Sequence, residues 1–175
     1  PHRPFSGSDQ EKGKFKSTIK TLAKPSKVFT PKEVSIPGFL PELPEVRKEM
    51  AEYFSSVRRC DDTVGAILAE LDNAGVADNT LVMFMSDNGM ALPFAKTNCY
   101  FHSSRTPWIV RFPGVAKPGV DTTHFLGGID VMPTMLDAAG IKAPDGVDGR
   151  TVLPVLRGET QAGRKYVFTQ FHETS

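Results

Sequence analysis

The sequence has few of the features that mark specialised protein classes. It contains only two cysteines, Cys60 and Cys99, among 175 residues. Their spacing matches no zinc motif, and a single pair does not make a disulfide framework. No apolar run approaches the roughly 20 residues that a membrane-spanning helix needs. The formal net charge is +1, so the overall charge does not indicate a nucleic acid or an anionic membrane as a partner.

The opening residues, PHRPF, include neither an initiating methionine nor a signal peptide. They are typical of the interior of a longer sequence, so the lack of a leader does not indicate where the protein works. The remaining composition, 39% hydrophobic and 23% charged, is usual for a soluble globular protein. A chain of this length suits one domain, or most of one.

Residues 6–38 form a polar segment that contains seven lysines. Its few apolar residues follow no sustained period, which predicts a long surface connection rather than a core element. The lysines leave contact with an anionic ligand open, although a solvated surface explains them more simply.

The segment between Pro44 and Gly75 predicts a long amphipathic helix. Its apolar residues recur at intervals of three and four, which places them on one stripe. A proline just before the start and a glycine just after the end fit the chemistry of helix boundaries. Cys60, within this pattern, is expected to be a half-buried structural thiol. The stripe consists of Val46, Met50, Tyr53, Phe54, Val57, Val64, Ile67, Leu68 and Leu71.

Three strands and a second helix are predicted further along the chain. The run NTLVMFMS, residues 79–86, is almost entirely apolar, as in a parallel strand covered on both faces. TPWIVRFPG (106–114) and KYVFTQF (165–171) are the other strand candidates. GIDVMPTMLDAAGI (128–141) predicts a short helix with Asp130 as its N-cap and Gly140 as its stop. Helices interleaved with strands indicate an α/β layered fold.

The best strand candidate ends at Asp87, Asn88 and Gly89. Ligands of open parallel sheets bind beyond the carboxyl ends of the strands, and a carboxylate beside an amide offers two hard oxygen donors of the kind that Ca²⁺ or Mg²⁺ prefers. The same residues are also the commonest turn formers for purely local reasons. From the spacing alone, the turn is the simpler interpretation, and the metal site remains open.

Several basic side chains are weak candidates when each is taken alone. Lys96 follows the strand end and is able to hold an anionic group, although most loop lysines are merely solvated. His2 lies between prolines and is able to act as a rigidly presented donor or general acid. The other histidines, His102, His124 and His172, have the same standing.

Taken together and in order, several segments resemble the sulfatase family of the alkaline-phosphatase-like superfamily. The most specific is DDTVGAILAELDNAGVADNTLVMFMSDNG, residues 61–89. It is accompanied by PHRPF at the start, AKTNCY and RTPWIVRFPG in the middle, and GIDVMPTMLDAAGI and DGVDGRTVLPVLRGE after them. Within the family, SDNGMALPFAKTN and QFHETS look most like the heparan N-sulfatase (sulfamidase) branch. The order of these motifs favours the metal site over the turn.

The resemblance implies an alkaline-phosphatase-like sandwich with a mostly parallel central sheet flanked by helices, here incomplete. Residues 1–143 would be the C-terminal half of the catalytic α/β domain, with 6–38 as a surface connection. Residues 144–175 would be a linker and the start of a smaller C-terminal subdomain.

The resemblance also implies roles for individual residues. Asp87 and Asn88 would supply two oxygen ligands to a catalytic Ca²⁺. Lys96 and His2 would be catalytic residues that face the sulfate, whose developing charge a divalent cation and basic groups stabilise. Candidate substrate-binding residues are Lys96 itself, His102, His172 and Glu173, with Arg105 either behind them or bracing its loop.

The chain departs from the family at the nucleophile. Sulfatases use a formylglycine made from the cysteine of a Cys-x-Pro-Ser-Arg segment, and neither Cys60 nor Cys99 lies in such a segment. The aspartates that complete the calcium site are also expected upstream. We therefore expect half a metal site, and the missing N-terminal half of the same protein as a partner that covers otherwise exposed strand edges.

Three functional hypotheses follow from these patterns. The first is part of a calcium-dependent sulfatase that hydrolyses sulfate esters or N-sulfates. Its substrate would be a sulfated sugar or another sulfate ester, and its setting periplasmic, secreted or lysosomal. The second is a phosphodiester or phosphonate hydrolase of the same superfamily, whose members commonly have histidine at the position of Asn88. The third is a non-catalytic binding fragment. No pattern indicates a nucleic-acid partner or a membrane span.

Overall fold

The computed structural model describes residues 23–159 and 161–172. They fall into two compact units. The first unit combines the described residues up to Ala74 with Asn88–Arg105, and the second combines Gly75–Asp87 with the described residues from Thr106 onward. The predicted domain boundary after residue 143 stays a prediction. None of the helices in these ranges is long and apolar enough to cross a membrane.

The predicted long helix is confirmed as α1, Pro44–Asn73. Proline occupies the first turn, where its missing N–H costs no hydrogen bond, and it keeps the preceding Leu43 extended at φ −121° and ψ 149°. Glu45 places a negative charge in the first turn, where the helix dipole favours it. After the helix, Gly75 takes a φ of +67°, which glycine adopts without steric cost.

The core of the first unit lies between the start of α1 and the segment before it. Its buried members are Val34, Leu40, Met50, Ala51 and Leu92. Residues 23–38 have no helix or strand, as expected of a connection, but Val34 is part of this core. The expectation that the described part of this segment contributes nothing to the core is therefore wrong.

Polar contacts tie the same segment to α1. The Arg47 guanidinium donates to the carbonyl oxygens of Val34 at 2.9 Å and Pro31 at 3.1 Å. The Asp62 carboxylate accepts the N–H and the hydroxyl of Ser26, both at 2.7 Å, and these hydrogen bonds hold the pKa of Asp62 below its usual value. The segment is thus fixed at both ends of the part that the structure describes.

The later turns of α1 are less covered than its stripe predicts. Val57 is 39% exposed and Ile67 is 56% exposed. The remaining residues of this half are half-buried, so it is only partly covered within the described residues. Cys60 is exposed, so the prediction of a half-buried thiol is wrong. The helical period correctly predicts the helix, but it does not determine how much of the stripe its own unit covers.

Two of the three predicted strands are present in the second unit. β1, Val82–Met85, pairs with β2, Trp108–Arg111. The pair is antiparallel, with Val82 opposite Arg111 and Met85 opposite Trp108, so the parallel arrangement predicted for β1 is not found among the described residues. Residues 165–171 form no strand. Phe168 there is 91% exposed, because this segment has no strand partner in the described part of the chain.

Short helices complete the architecture. In chain order, a 3₁₀ turn at Ala77–Asn79 precedes β1, and α2, Phe101–Ser104, follows β1 and precedes β2. The second unit also contains a 3₁₀ turn at Gly128–Asp130, which leads directly into α3, Val131–Ala138. The last helix is α4, Leu153–Leu156. The helix predicted at 128–141 is therefore confirmed, with a 3₁₀ start.

Asp130 lies at the N-cap position of α3, but its carboxylate does not cap that helix. The side chain is fully buried. It accepts the N–H of Gly127 at 2.9 Å and the N–H of Arg150 at 2.8 Å, and the Arg164 guanidinium donates to both of its oxygens at 2.5 and 2.6 Å. The predicted capping role is corrected: Asp130 joins three separate segments of the second unit.

Candidate active site

The predicted metal ligands follow β1 directly. The Ser86 N–H donates to the Pro107 carbonyl at 3.4 Å, which continues the pairing of the two strands by one residue. Asp87 then lies exposed and Asn88 half-buried. Because the regular strand ends before them, their side chains are released from the alternation that would direct them to opposite faces.

Gly89 is packed more closely than any other residue type permits. Its N–H donates to the Ser103 carbonyl at 3.0 Å. A Cβ at this position would lie 2.1 Å from the His102 carbonyl oxygen and 2.3 Å from that of Ala95. The glycine therefore lets the chain after Asn88 lie directly against both α2 and the loop that carries Lys96.

The loop at residues 90–100 combines a buried anchoring residue with backbone strain at two neighbouring residues. Ala95 is buried and donates its N–H to Leu92 at 3.1 Å. On either side of it, Phe94 has a φ of +65° and Thr97 a φ of +58°, a backbone conformation that residues other than glycine rarely adopt. Such strain persists only where surrounding contacts enforce it, and it is concentrated at functional sites.

Lys96 lies between these two strained residues and is half-buried. Its carbonyl oxygen accepts the Thr97 hydroxyl and the Asn98 side-chain amide, each at 2.7 Å. The Asn98 amide oxygen in turn accepts the Tyr100 N–H at 2.9 Å. These bonds fix the backbone from which the lysine side chain projects.

His102 is exposed on α2 and is held by aromatic contacts. Its ring stacks on Phe39, with centroids 4.3 Å apart and an interplanar angle of 25°. Phe101 meets it edge-on at 5.5 Å, and the Arg105 guanidinium lies 5.1 Å from the centre of the Phe101 ring. Arg105 therefore contacts the first residue of α2, and its role behind the substrate residues or in bracing the loop before TPW stays a prediction.

The predicted site residues have different outcomes. The first unit brings Asn88, Lys96 and His102 into one packed arrangement around Gly89. Asp87 and the exposed His172 are assigned to the second unit. His2 and Glu173 lie outside the residues that the structure describes. The roles of all seven remain predictions.

The donor atoms at the strand end fit calcium in kind. An Asp carboxylate and an Asn amide are hard oxygen ligands, and Ca²⁺ takes roughly 6–8 such ligands. Within residues 23–159 and 161–172, no group of three or more His, Cys, Asp or Glu side chains is placed to bind a metal ion. The described residues thus fit one part of a calcium site and do not complete it.

A second polar cluster was not predicted from the sequence. His124 Nδ1 lies 2.5 Å from the Asp121 carboxylate, and His124 Nε2 lies 3.1 Å from the Gln161 carbonyl oxygen. The hydrogen bond between His124 Nε2 and the Gln161 carbonyl oxygen and the contact with Asp121 together raise the pKa of His124. Asp130, Arg150 and Arg164 line the same small cavity. Nothing in local spacing links residue 124 to residue 161.

Comparison with known proteins gives the family. The sequence profile of the sulfatase family matches residues 1–141. N-sulphoglucosamine sulphohydrolase from Homo sapiens is 32% identical over 157 residues, which cover 84% of this chain and 31% of that protein. The chain thus spans about a third of this curated relative.

Two solved structures are similar in fold. The phosphonate monoester hydrolase SpPMH from Silicibacter pomeroyi has a TM-score of 0.64 and 31% identity, with 78% of this chain and 29% of that chain covered. BT4656, in complex with its substrate D-glucosamine-2-N,6-O-disulfate, has a TM-score of 0.67 and 28% identity over 78% of this chain and 30% of that one. These matches support the alkaline-phosphatase-like fold, and the profile match shows that the chain belongs to the sulfatase family.

Proposed function

We propose that this chain supplies one wall of the active site of a calcium-dependent sulfatase that hydrolyses sulfate esters or N-sulfates on sugars. Family membership supports the reaction class. A similar curated protein is an N-sulphoglucosamine sulphohydrolase, and a similar solved structure holds a disulfated glucosamine. Both relatives therefore favour a sulfated amino sugar as the substrate class.

The observation that carries the proposal is the packing around Gly89. The His102 and Ala95 carbonyl oxygens occupy the space that a Cβ at Gly89 would need. The Gly89 N–H donates to the Ser103 carbonyl oxygen, so the residue after Asn88 lies close to both α2 and the loop of Lys96. A purely local turn at Ser86-Asp87-Asn88-Gly89 does not require such an approach. A site in which an oxygen ligand and a cationic side chain converge on one anionic group does require it.

Each residue has a defined role in this proposal. Asp87 and Asn88 would hold Ca²⁺, which would supply positive charge to the sulfate oxygens. The Lys96 ammonium contacts the same oxygens as a compact point charge. His2 faces the sulfate as well, while His102, His172 and Glu173 contact the substrate. The formylglycine nucleophile belongs to a part of the protein that this sequence does not include.

The test is sulfate release by the intact protein from N-sulfoglucosamine and from glucosamine 6-O-sulfate. Lys96→Ala should lower kcat/KM about 10²–10³-fold, as removal of one group that stabilises transition-state charge typically does. Lys142→Ala is the matched control, because Lys142 is an exposed lysine whose only described ion pair is a surface contact with Asp145. Wild-type protein that releases sulfate from neither substrate would exclude the proposed function.

A phosphonate or phosphodiester hydrolase is the second candidate. The similarity to the phosphonate monoester hydrolase from Silicibacter pomeroyi favours it. Asn88 argues for sulfate, because the resemblance implies histidine at this position in the phosphate-type enzymes. Turnover of a phosphonate monoester and of a sulfate ester by the same preparation separates the two, and a kcat/KM at least tenfold higher for the phosphonate would favour the second candidate.

The proposal includes a compartment outside the cytosol, periplasmic, secreted or lysosomal, where calcium is plentiful. Cell fractionation followed by detection of the protein tests this part independently of activity. Recovery in the cytosolic fraction would contradict it.

A further inference from the structure

The loop that carries Lys96 also presents two aromatic rings. Phe94 is 52% exposed and Tyr100 is 60% exposed. Their centroids are 6.1 Å apart and their planes differ by 29°, a stacked arrangement. Aromatic rings in such a pair combine large apolar faces with, in Tyr100, a polar hydroxyl at one end.

The backbone under both rings is fixed. Leu92 and Ala95, on either side of Phe94, are buried, and Phe94 itself is held at a φ of +65°. The Tyr100 carbonyl accepts the N–H groups of Ser103 and Ser104 at 2.9 and 3.1 Å, so Tyr100 forms the entry to α2. The rings are therefore presented by a rigid frame rather than by a flexible loop tip.

The strain at Phe94 is informative about its side chain. Glycine would adopt this φ without cost, whereas a bulky residue there is an outlier. Keeping a phenyl ring at such a position costs stability, of the kind that is found where a functional arrangement is enforced.

We propose that Phe94 and Tyr100 form a stacking platform for the sugar ring that carries the sulfate. A pyranose presents an apolar face of C–H groups, which packs on aromatic faces, and the Tyr100 hydroxyl adds a hydrogen-bonding group at the edge. Lys96 lies between the two residues in the chain, so one loop would hold both the sulfate and the ring next to it. This inference rests on the proposed function and names a binding surface for its substrate.

The test measures binding of the two halves of the substrate separately. Phe94→Gly removes the ring and also relieves the positive-φ strain, so loss of fold does not confound it. We expect KM for N-sulfoglucosamine to rise about 3–10-fold with little change in kcat. Inhibition by glucosamine should weaken by a similar factor, while inhibition by inorganic sulfate should stay unchanged. Tyr100→Ala should behave in the same way, and Tyr100→Phe should retain most of the affinity.

Phe168→Ala is the control, because it removes another exposed phenyl ring at a distant point of the sequence. An unchanged KM in both Phe94→Gly and Tyr100→Ala, with active wild-type protein, would overturn the platform but not the proposed function. Loss of thermal stability with unchanged KM in Tyr100→Ala would show that another part of the protein covers the rings, which also overturns it. Inactive wild-type protein would overturn the proposed function itself.

Discussion

At the scale of single residues, Gly89 leaves no room for a side chain. Two backbone carbonyl oxygens, those of His102 and Ala95, occupy the space that any Cβ would need. Neither is the end of a flexible side chain, so the backbone itself would have to move. Since those carbonyls belong to α2 and to the loop of Lys96, a change at residue 89 displaces both groups that the proposed site depends on.

Gly89→Ala should therefore lower thermal stability and sulfate release together. Overpacking of this kind typically costs about 1–3 kcal/mol, and we expect kcat/KM to fall more than tenfold. Gly65→Ala is the matched control: it lies in α1 with nothing within 4 Å of the added Cβ, and should stabilise by about 0.5–1 kcal/mol. Thermal midpoints and sulfate release are measured on both, and a neutral Gly89→Ala variant would contradict the close packing.

His124 should make stability depend on pH. Its contacts with the Gln161 carbonyl and the Asp121 carboxylate raise its pKa in the folded protein, while the pKa in the unfolded chain is about 6.5. Its contribution is thus fully present below about pH 6.5 and is lost as the pH rises through the raised folded value. The groups facing it are Asp121, Thr123 and the charged residues of the cavity, Asp130, Arg150 and Arg164.

The measurement is the thermal midpoint of the wild type and of His124→Gln between pH 5 and 9. The wild type should be the more stable at pH 5.5, and the difference should shrink above neutrality. Asp121→Asn should remove most of the same pH dependence. A difference that grows with pH would contradict the assignment of His124 as a protonated partner.

At the scale of elements, the ion pair between Asp130 and Arg164 connects the start of α3 to the later part of the chain. Burial raises the pKa of Asp130, but the hydrogen bonds from Arg164 and from the N–H groups of Arg150 and Gly127 outweigh it, and the pKa is lowered. Thr134 adds to this connection, since its hydroxyl donates to the Asp130 carbonyl at 2.6 Å and accepts the Val152 N–H at 3.0 Å. The start of α3 and the residues before α4 therefore share their polar groups.

Removing one partner of the Asp130–Arg164 pair should lower the free energy of unfolding more than removing both. Arg164→Met leaves the buried Asp130 carboxylate without its cation, which typically costs about 3–5 kcal/mol. The double variant with Asp130→Asn should recover part of that loss. Denaturant unfolding of both single variants and the double variant gives the coupling, and additive losses would show that the two side chains act independently.

Local patterns predicted most of the elements. The three- and four-residue period fixed α1, and apolar runs bounded by turn residues fixed β1 and β2. The segment 165–171 has the same composition as a strand but forms none, because a strand also needs a partner and pairing is not encoded locally. The capping role predicted for Asp130 was wrong for a related reason. Its position just before α3 is visible locally, whereas its partner Arg164 lies 34 residues away in the sequence.

The candidate site was predictable to a similar extent. The proposed oxygen ligands and the proposed lysine contact rest on the resemblance of ordered motifs around a strand end to the sulfatase family, and their roles stay predictions. The approach of Gly89 to two carbonyl groups does not follow from these motifs, since it depends on how residues 95 and 102 return to it. The aromatic contact between Phe39 and His102 is likewise non-local.

At the scale of the whole molecule, this chain is about a third of the curated relative it matches. Two oxygen ligands are fewer than Ca²⁺ requires, so the proposed metal site draws on residues from elsewhere in the protein. Val57 and Ile67 of the apolar stripe of α1 are likewise exposed within the described residues. Both features are expected if further parts of the protein supply metal ligands and cover these apolar residues.

Chelation should test the metal in the intact protein. EGTA should abolish sulfate release and lower the thermal midpoint, and added Ca²⁺ should restore both, because a ligand that binds only the folded state stabilises it. Asp87→Asn should require at least tenfold more Ca²⁺ for half-maximal activity. Asp145→Asn, a change of an exposed carboxylate, should not. Full activity in EGTA would exclude the calcium site.

The packing of Gly89 also has a genetic consequence. Every single-base change in a glycine codon that alters the amino acid introduces a side chain with a Cβ. No such side chain fits between the His102 and Ala95 carbonyl oxygens. All missense alleles at this codon should therefore behave alike, as loss-of-function alleles, whatever the chemistry of the new residue.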